Sequence, residues 1–249
     1  MKERLVLVGN GMAGMRTVEE LLAIAPDKFD ITVFGSEPHG NYNRIMLSPV
    51  LAGEKTVDQI MINDLSWYAE KGIRLHAGHA VVDIHRARRE VRAADGTVAS
   101  YDRLLLATGS NPFILPIPGN DLPGVIGFRD IKDVETMLAA ARTGKNAVVI
   151  GGGLLGLEAA NGLMKQGMQV TVVHVLDTLM ERQLDPVAAD MLRANLEERG
   201  LRFLMGAQTA ALLGEERVRA VRFKDGLEIP TDLVVMAVGI RPNFELAKQ

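Results

Sequence analysis

The sequence predicts an α/β fold in three layers, a parallel sheet plus a β-meander, made twice from one plan. Three observations carry this. The stretches LVLVGNGMAG from Leu5 and VVIGGGLLGLEAA from Val148 share one form, an apolar run that breaks into glycines and resumes at helical spacing. The same succession of apolar runs and helical patterns surrounds each. Asp95, Gly96, Asp102, Gly109 and Pro112 also recur 130 positions later as Asp225, Gly226, Asp232, Gly239 and Pro242, and five identities at one offset favour duplication over chance.

Residues 4–8 are a short apolar run bounded by Gly9, which suits a buried parallel strand. In residues 12–24, Met15, Val18, Leu21 and Leu22 fall at helical spacing, and Pro26 stops the helix. Residues 31–34 form the next strand and complete a βαβ unit. Residues 81–84, 90–93 and 97–100 read as three strands with Asp95-Gly96 as a hairpin turn, and Leu104, Leu105 and Leu106 then run into Ala107-Thr108-Gly109. The second half repeats the order: strand 147–150, helix 154–166, strand 170–173, strands 218–223 and 227–229 around Asp225-Gly226, and 233–236 running into Gly239. The glycine loops lie 142 positions apart, so the first copy is 12 residues longer between loop and hairpin. The surplus falls in PHGNYNRIMLSPVLAGEKT, which has no counterpart in the second copy. Trp67 and Tyr68, in the short amphipathic helix of DLSWYAEKGI, read as core residues rather than a stacking site. Arg129 opens a helix, where it serves a helix-start ion pair or reaches a ligand.

Composition excludes several functions. With 47% hydrophobic residues the chain can bury a sizeable core, and a net charge of -3 with interspersed charges leaves no basic face for nucleic acid. No stretch approaches the roughly 20 apolar residues of a membrane helix, and the N-terminus enters a strand at once, so no membrane partner and a cytoplasmic location are expected. There is no cysteine, which removes thiolate nucleophiles, CxxC pairs and Cys-ligated clusters from this chain. The five histidines, His39, His76, His79, His85 and His174, lack a pattern such as HExxH, so no metal site is expected and His76 and His79 read as loop residues.

Gly9, Gly11 and Gly14, like Gly151, Gly153 and Gly156, stand where a strand turns into a helix. The first glycine allows the tight turn, the second lets backbone approach a pyrophosphate, the third lets helix and strand pack closely, and the helix N-terminus adds about half a positive charge. Two such loops, each after an apolar strand, imply two dinucleotide-binding Rossmann-like domains. An acid at the end of the second strand would bind ribose hydroxyls. In the first copy Glu37 lies in that region, the alternative being a solvated loop glutamate. In the second copy the position carries His174, with Asp177 and Glu181 farther on; the alternative there is a half-buried strand-end histidine.

The order GxGxxG, Glu37, Ala107-Thr108-Gly109, GGGLLGLEAA and AVGIRPN resembles the two-dinucleotide flavoprotein family, the FAD and NAD(P)H pyridine nucleotide reductases. IGGGLLGLEAANGL followed by VTVVHVLDTLMERQLDP resembles the N-terminal flavoprotein part of the NAD(P)H nitrite reductase large subunits. The resemblance implies that the first loop, with Gly9, Asn10, Gly11, Met12, Ala13 and Gly14, binds FAD. Glu37 would take the adenosine ribose, Val81 would meet the adenine through its backbone, and Ala107, Thr108 and Gly109 would pass close to the FAD. Arg44 and Ser48 match a loop, RPxLS, that covers the flavin in related reductases, with Ile45 in place of proline and Pro49 where a lysine often follows; the alternative for Arg44 is a surface arginine. The second loop, with Gly151, Gly153, Leu154, Leu155 and Gly156, would bind NAD(P)H, with His174 and Gly239 at its rim. Glu158, in the GxxGxE pattern, would sit near the nicotinamide, or serve as a first-turn helix acid favoured by the dipole.

The domains so implied are residues 1–112 for FAD, 113–243 for NAD(P)H, and 244–249 as the start of a return to the first. The expected reaction is hydride transfer from NAD(P)H to FAD, followed by single-electron transfer to an iron-sulfur or sirohaem acceptor carried elsewhere, with no catalytic residue required of the protein. The absence of cysteine disfavours disulfide reductases and peroxidase-type NADH oxidases. A rubredoxin or ferredoxin reductase is the nearest enzymatic alternative, and a non-catalytic nucleotide-binding redox sensor is the alternative of another class. The sequence leaves NADH against NADPH and a homodimer open. It stops soon after AVGIRPN, where the family returns to finish the FAD domain, so the first domain is expected to be truncated and to hold FAD weakly or not at all, and the second to fold regardless.

Overall fold

The computed structural model describes residues 2–249. The chain divides into two compact units, the first made of residues 2–44, Asp58–Asn111 and Pro242–Gln249, the second of Ile45–Val57 and Pro112–Arg241. The boundary thus differs from a division at residue 112, because Ile45–Val57, inside the surplus segment of the first copy, clusters with the second unit.

In the first unit a four-stranded parallel sheet has the order Arg74–Ala77, Phe29–Gly35, Glu3–Val8, Arg103–Leu106. Alternation splits its apolar residues between two faces. Leu5 and Leu7 join Ile31, Val33, Tyr68 and the helix residues Met15 and Val18 in one core. Val6 and Val8 join Phe34 and the meander residues Ile84, Val91, Ala93 and Tyr101 in another. The helix Met12–Ile24 covers one face, and the antiparallel meander Val81–His85, Glu90–Ala93, Val98–Ser100 covers the other. Tyr68 is buried in the core, as the sequence implies, whereas His76 lies in a strand, not a loop, with its ring stacked on Phe34 at 4.6 Å. Burial and the charges of His79 and Arg74 hold the His76 imidazole below its ordinary value.

The second unit carries the plan further. Its five parallel strands have the order Val125–Ile126, Leu233–Met236, Asn146–Ile150, Gln169–Val173, Arg202–Leu204. Val148, Ile150, Val173, Val234 and Met236 pack against the meander Thr209–Gly214, Val218–Phe223, Glu228–Pro230. Helices Ile131–Thr143, Leu154–Lys165 and Pro186–Glu198 complete the unit. Arg129 lies two residues before the first of these, and its backbone N–H donates to Asp133 at 2.6 Å beside a capping box formed by Asp130 and Asp133.

The repeated aspartates have one structural job in both units. Asp102 accepts the backbone N–H of Arg4 at 2.8 Å, and Asp232 accepts those of Lys145 and Asn146 at 2.8 and 3.0 Å, so each carboxylate pins the start of the strand that runs into its unit's glycine loop. The side-chain and backbone hydrogen bonds from Arg4 hold Asp102 well below the usual carboxylate range, and the backbone N–H groups of Asn146 and Lys145 depress Asp232. A carboxylate depressed by folding stabilises fully above its unfolded value, near 4, and loses that contribution as pH falls through the folded one. Stability should therefore decline on acidification below about pH 4, and the double variant Asp102→Asn, Asp232→Asn should lower the urea midpoint at neutral pH and flatten the decline. Urea midpoints measured across an acid series check this; an unaltered slope in the variant would contradict the assignment.

Ile45–Val57 is held by side chains of its own unit. It contains the short helix Leu47–Leu51, and Leu51 is fully buried with its side chain against Gly162 of helix Leu154–Lys165, where an added methyl group would meet Leu51 Cγ at 2.6 Å. Gln166 donates its side-chain amide to the Leu51 carbonyl at 2.8 Å, and Lys165 pairs with Glu54.

Candidate functional site

Each glycine loop is shaped by what an extra carbon would strike. Gly9 and Gly151 have φ of 113° and 122°, in the region that favours glycine, and a side chain there would collide with the carbonyl oxygen of Ala107 or Ala237. Gly11 and Gly153 have ordinary extended backbone and nothing within 4 Å of the missing methyl group, so the space beside them is open. These two glycines cap the helices beginning at Met12 and Leu154 without any side-chain hydrogen bond, and neither helix has an acid in its first turn, Glu158 being the fifth residue of its helix rather than a first-turn acid. The helices beginning at Leu65, Ile131 and Pro186 are capped by Asp64, Asp130 and Asp185. Free N–H groups and an open backbone are what an anionic ligand requires, and the two loops have both.

The intervening residue of each loop is locked in a different way. Asn10 in the first loop accepts from the Tyr68 hydroxyl at 2.7 Å and donates to the His39 carbonyl at 3.1 Å, while Asn41 donates to the Asn10 carbonyl at 3.1 Å and its own N–H reaches the Tyr68 oxygen at 3.1 Å. Burial pushes the Tyr68 phenol up to about 12, so it remains a neutral donor. Tyr68→Phe removes this knot and should cost about 1–3 kcal/mol, the penalty of unpaired buried polar groups, measured by urea unfolding; a change under about 0.5 kcal/mol would show the network to be dispensable.

In the second loop Gly152 is gripped from both sides. Its N–H donates to His174 Nδ1 at 3.1 Å and its carbonyl accepts from the Met180 N–H at 3.0 Å. A methyl group at Gly152 would meet Leu179 and the His174 ring at 2.7 and 2.8 Å. His174 is buried, 7% exposed, rather than half-buried, and its Nε2 lies 3.3 Å from Glu181 Oε2 without forming a hydrogen bond.

Glu37 is not a solvated glutamate. Arg44 donates to one carboxylate oxygen at 2.6 Å, the Tyr42 hydroxyl to the other at 2.7 Å, and the Arg44 guanidinium lies 5.0 Å from the Tyr42 ring centre. Ser48 donates to Glu158 at 2.6 Å within the second unit. Arg44 and Ser48, four residues apart in the motif, thus engage different units. Val81 begins the meander, and the Thr108 hydroxyl donates to the Asn243 carbonyl at 2.5 Å. Gly109 and Gly239 end the two ATG-like runs at positive φ, 68° and 119°. Sequence reasoning missed Tyr68 and Asn41 as supports of the first loop and the Gly152 clamp; the second glycine of GGGLLG was the clamp's trace in the sequence. Among the described residues, no cluster of three or more His, Asp or Glu could hold a metal ion, and no helix is long and apolar enough to cross a membrane.

Two such loops on two sheets of one plan define a two-dinucleotide oxidoreductase, and the chain belongs to the pyridine nucleotide-disulphide oxidoreductase family, whose model matches residues 3–249. The match brings FAD and NAD(P)H as the cofactors of the class, although the chain has no cysteine with which to form a disulphide. It is 54% identical over 248 residues to a Bacillus subtilis nitrite reductase [NAD(P)H], covering 100% of this chain and 31% of that protein. It is 35% identical to the ferredoxin–NAD(+) reductase component of the Paraburkholderia xenovorans biphenyl dioxygenase system, covering 100% of this chain and 60% of the relative. Among solved structures, the covalent putidaredoxin reductase–putidaredoxin complex aligns with a TM-score of 0.90 at 31% identity, over 99% of this chain and 60% of that one. The chain spans about a third of the nitrite reductase relative.

Proposed function

We propose that the chain is the NAD(P)H-to-flavin module of a larger reductase of the nitrite reductase type. The first unit would hold FAD on the Gly9 loop, with the Glu37 carboxylate toward the adenosine ribose, Arg44 and Tyr42 fixing its orientation, and Val81, Thr108 and Gly109 along the cofactor. The second would hold NAD(P)H on the Gly151 loop. The observation that carries this reading is the pair of helix N-termini left without side-chain caps behind open glycines, while the helices beginning at Leu65, Ile131 and Pro186 are capped by aspartate.

When bound, the flavin supplies the conversion of a two-electron hydride donor into single electrons. The protein's own part is to bind and orient. Backbone N–H groups at Met12 and Leu154 would face the pyrophosphates, and Ser48 donates to the Glu158 carboxylate. The acceptor would be an iron-sulfur or sirohaem centre, as the resemblance to the nitrite reductase large subunits implies. The second reading, a ferredoxin or rubredoxin reductase, is favoured by the ferredoxin reductase relative and by the redoxin-bound structure. Supplying FAD and NADH and following ferricyanide reduction tests the shared core of both. Steady turnover supports a reductase; cofactor binding without turnover supports a nucleotide sensor instead.

A further inference from the structure

The strand end that ordinarily decides between the two pyridine nucleotides carries His174 in place of an acid. We infer that His174 and Glu181 act together as the selector there, taking a free ribose 2′-hydroxyl and refusing a 2′-phosphate, so that the second unit prefers NADH. This rests on the reading that the Gly151 loop holds a pyridine nucleotide.

The tautomer follows from the clamp. Because Nδ1 accepts the Gly152 N–H at 3.1 Å, the neutral ring carries its proton on Nε2. That N–H is buried and has no hydrogen-bond partner among the described residues, a deficit that calls for a partner. Beside it, 3.3 Å away, is the Glu181 carboxylate, whose side chain is 34% exposed and therefore open to solvent on one side. A donor and an acceptor stand together at the end of the second strand of the sheet.

A hydroxyl satisfies both at once, since it accepts from Nε2–H and donates to the carboxylate. A phosphate monoester cannot, because it only accepts; it would leave Glu181 without a donor and bring about 1.5–2 negative charges against it. Asp177 adds a second carboxylate on the same segment, lying against Gly206. Glu181 is held where it is by the chain around it. Leu179 is buried, the Met180 N–H is tied to the Gly152 carbonyl, and the Gln183 and Leu184 N–H groups both return to the Met180 carbonyl. Arg182, the one arginine between residues 174 and 184, is exposed and is the rival: if it captured a 2′-phosphate the preference would reverse.

The 249-residue chain titrated separately with NADH and NADPH, read by nicotinamide fluorescence, decides the matter without turnover. The wild-type chain should bind NADH at least about tenfold tighter. Glu181→Gln keeps the shape and removes the charge, and should shrink the preference to about threefold or less, chiefly by tightening NADPH. Arg182→Ala should leave the preference in place. Equal or tighter NADPH binding by the wild type, an unchanged ratio in Glu181→Gln, or selective loss of NADPH binding in Arg182→Ala overturns the inference. If neither nucleotide binds to a chain that circular dichroism shows to be folded, the pyridine nucleotide reading itself fails and the inference falls with it.

Discussion

Gly151→Ala is expected to destabilise the second unit by about 3–5 kcal/mol, whereas Gly153→Ala should change stability by less than about 1 kcal/mol and abolish nucleotide binding. The two glycines are two residues apart and serve opposite ends. Gly151 has φ of 122° and no room for a methyl group against the Ala237 carbonyl oxygen, so alanine meets both backbone strain and a clash with a main chain that cannot move without shifting the strand beside it. Gly153 has φ of -83° and open space, so alanine fits the fold and occupies only the surface where a pyrophosphate would lie. Urea unfolding and NADH titration of the two variants separate these roles. A stable Gly151→Ala protein, or a Gly153→Ala protein that binds NADH normally, would refute the assignment of one glycine to the turn and the other to the ligand.

Leu51→Ala should cost the second unit about 2–5 kcal/mol, the usual range for truncating a fully buried leucine whose cavity cannot collapse. Collapse is hindered here because the facing residue is Gly162, which has no side chain to swing into the gap. The loss should also loosen Ser48 from Glu158, because both Ser48 and Leu51 belong to the helix Leu47–Leu51. Thermal unfolding monitored by circular dichroism is the check. If Leu51→Ala proved as stable as the parent, the contact of this segment with helix Leu154–Lys165 would be of no energetic consequence.

Most of the fold was legible in the sequence because its strongest signals are local. The runs ending at Gly9 and Gly151, the Asp-Gly turns, and the helices after each loop follow from apolar periodicity and glycine placement, and helix Met12–Ile24 matches its sequence reading residue for residue. Strand Thr209–Gly214, TAALLG, was illegible because alanine and leucine suit helices and only its pairing with Val218–Phe223 makes it a strand. Helix Pro186–Glu198 was missed although Asp185-Pro186 is a start signal, a cap followed by proline at the first helical position. Of the site, both loops and Glu37 were readable as types. The partners of Glu37 were not, since Tyr42 and Arg44 reach it through side chains whose direction no spacing encodes. The membership of Ile45–Val57 was hidden for the same reason: its hydrogen-bond partners Glu158 and Gln166 lie more than 100 positions away, and the hint in the sequence is a helical Gly162 with no turn to explain it.

Because the second unit is assembled from two separate stretches, exchange of genetic material between relatives has an uneven grain along this chain. A single crossover near residue 112 would inherit Ile45–Val57 from one parent and its docking helix from the other, setting a leucine chosen for one surface against a glycine, or a larger residue, from another. Chimaeras that carry both stretches from one parent keep Leu51 with Gly162 and Ser48 with Glu158. Shuffled libraries of such reductases should therefore be enriched, among folded survivors, in double crossovers that move the two stretches as one heritable block.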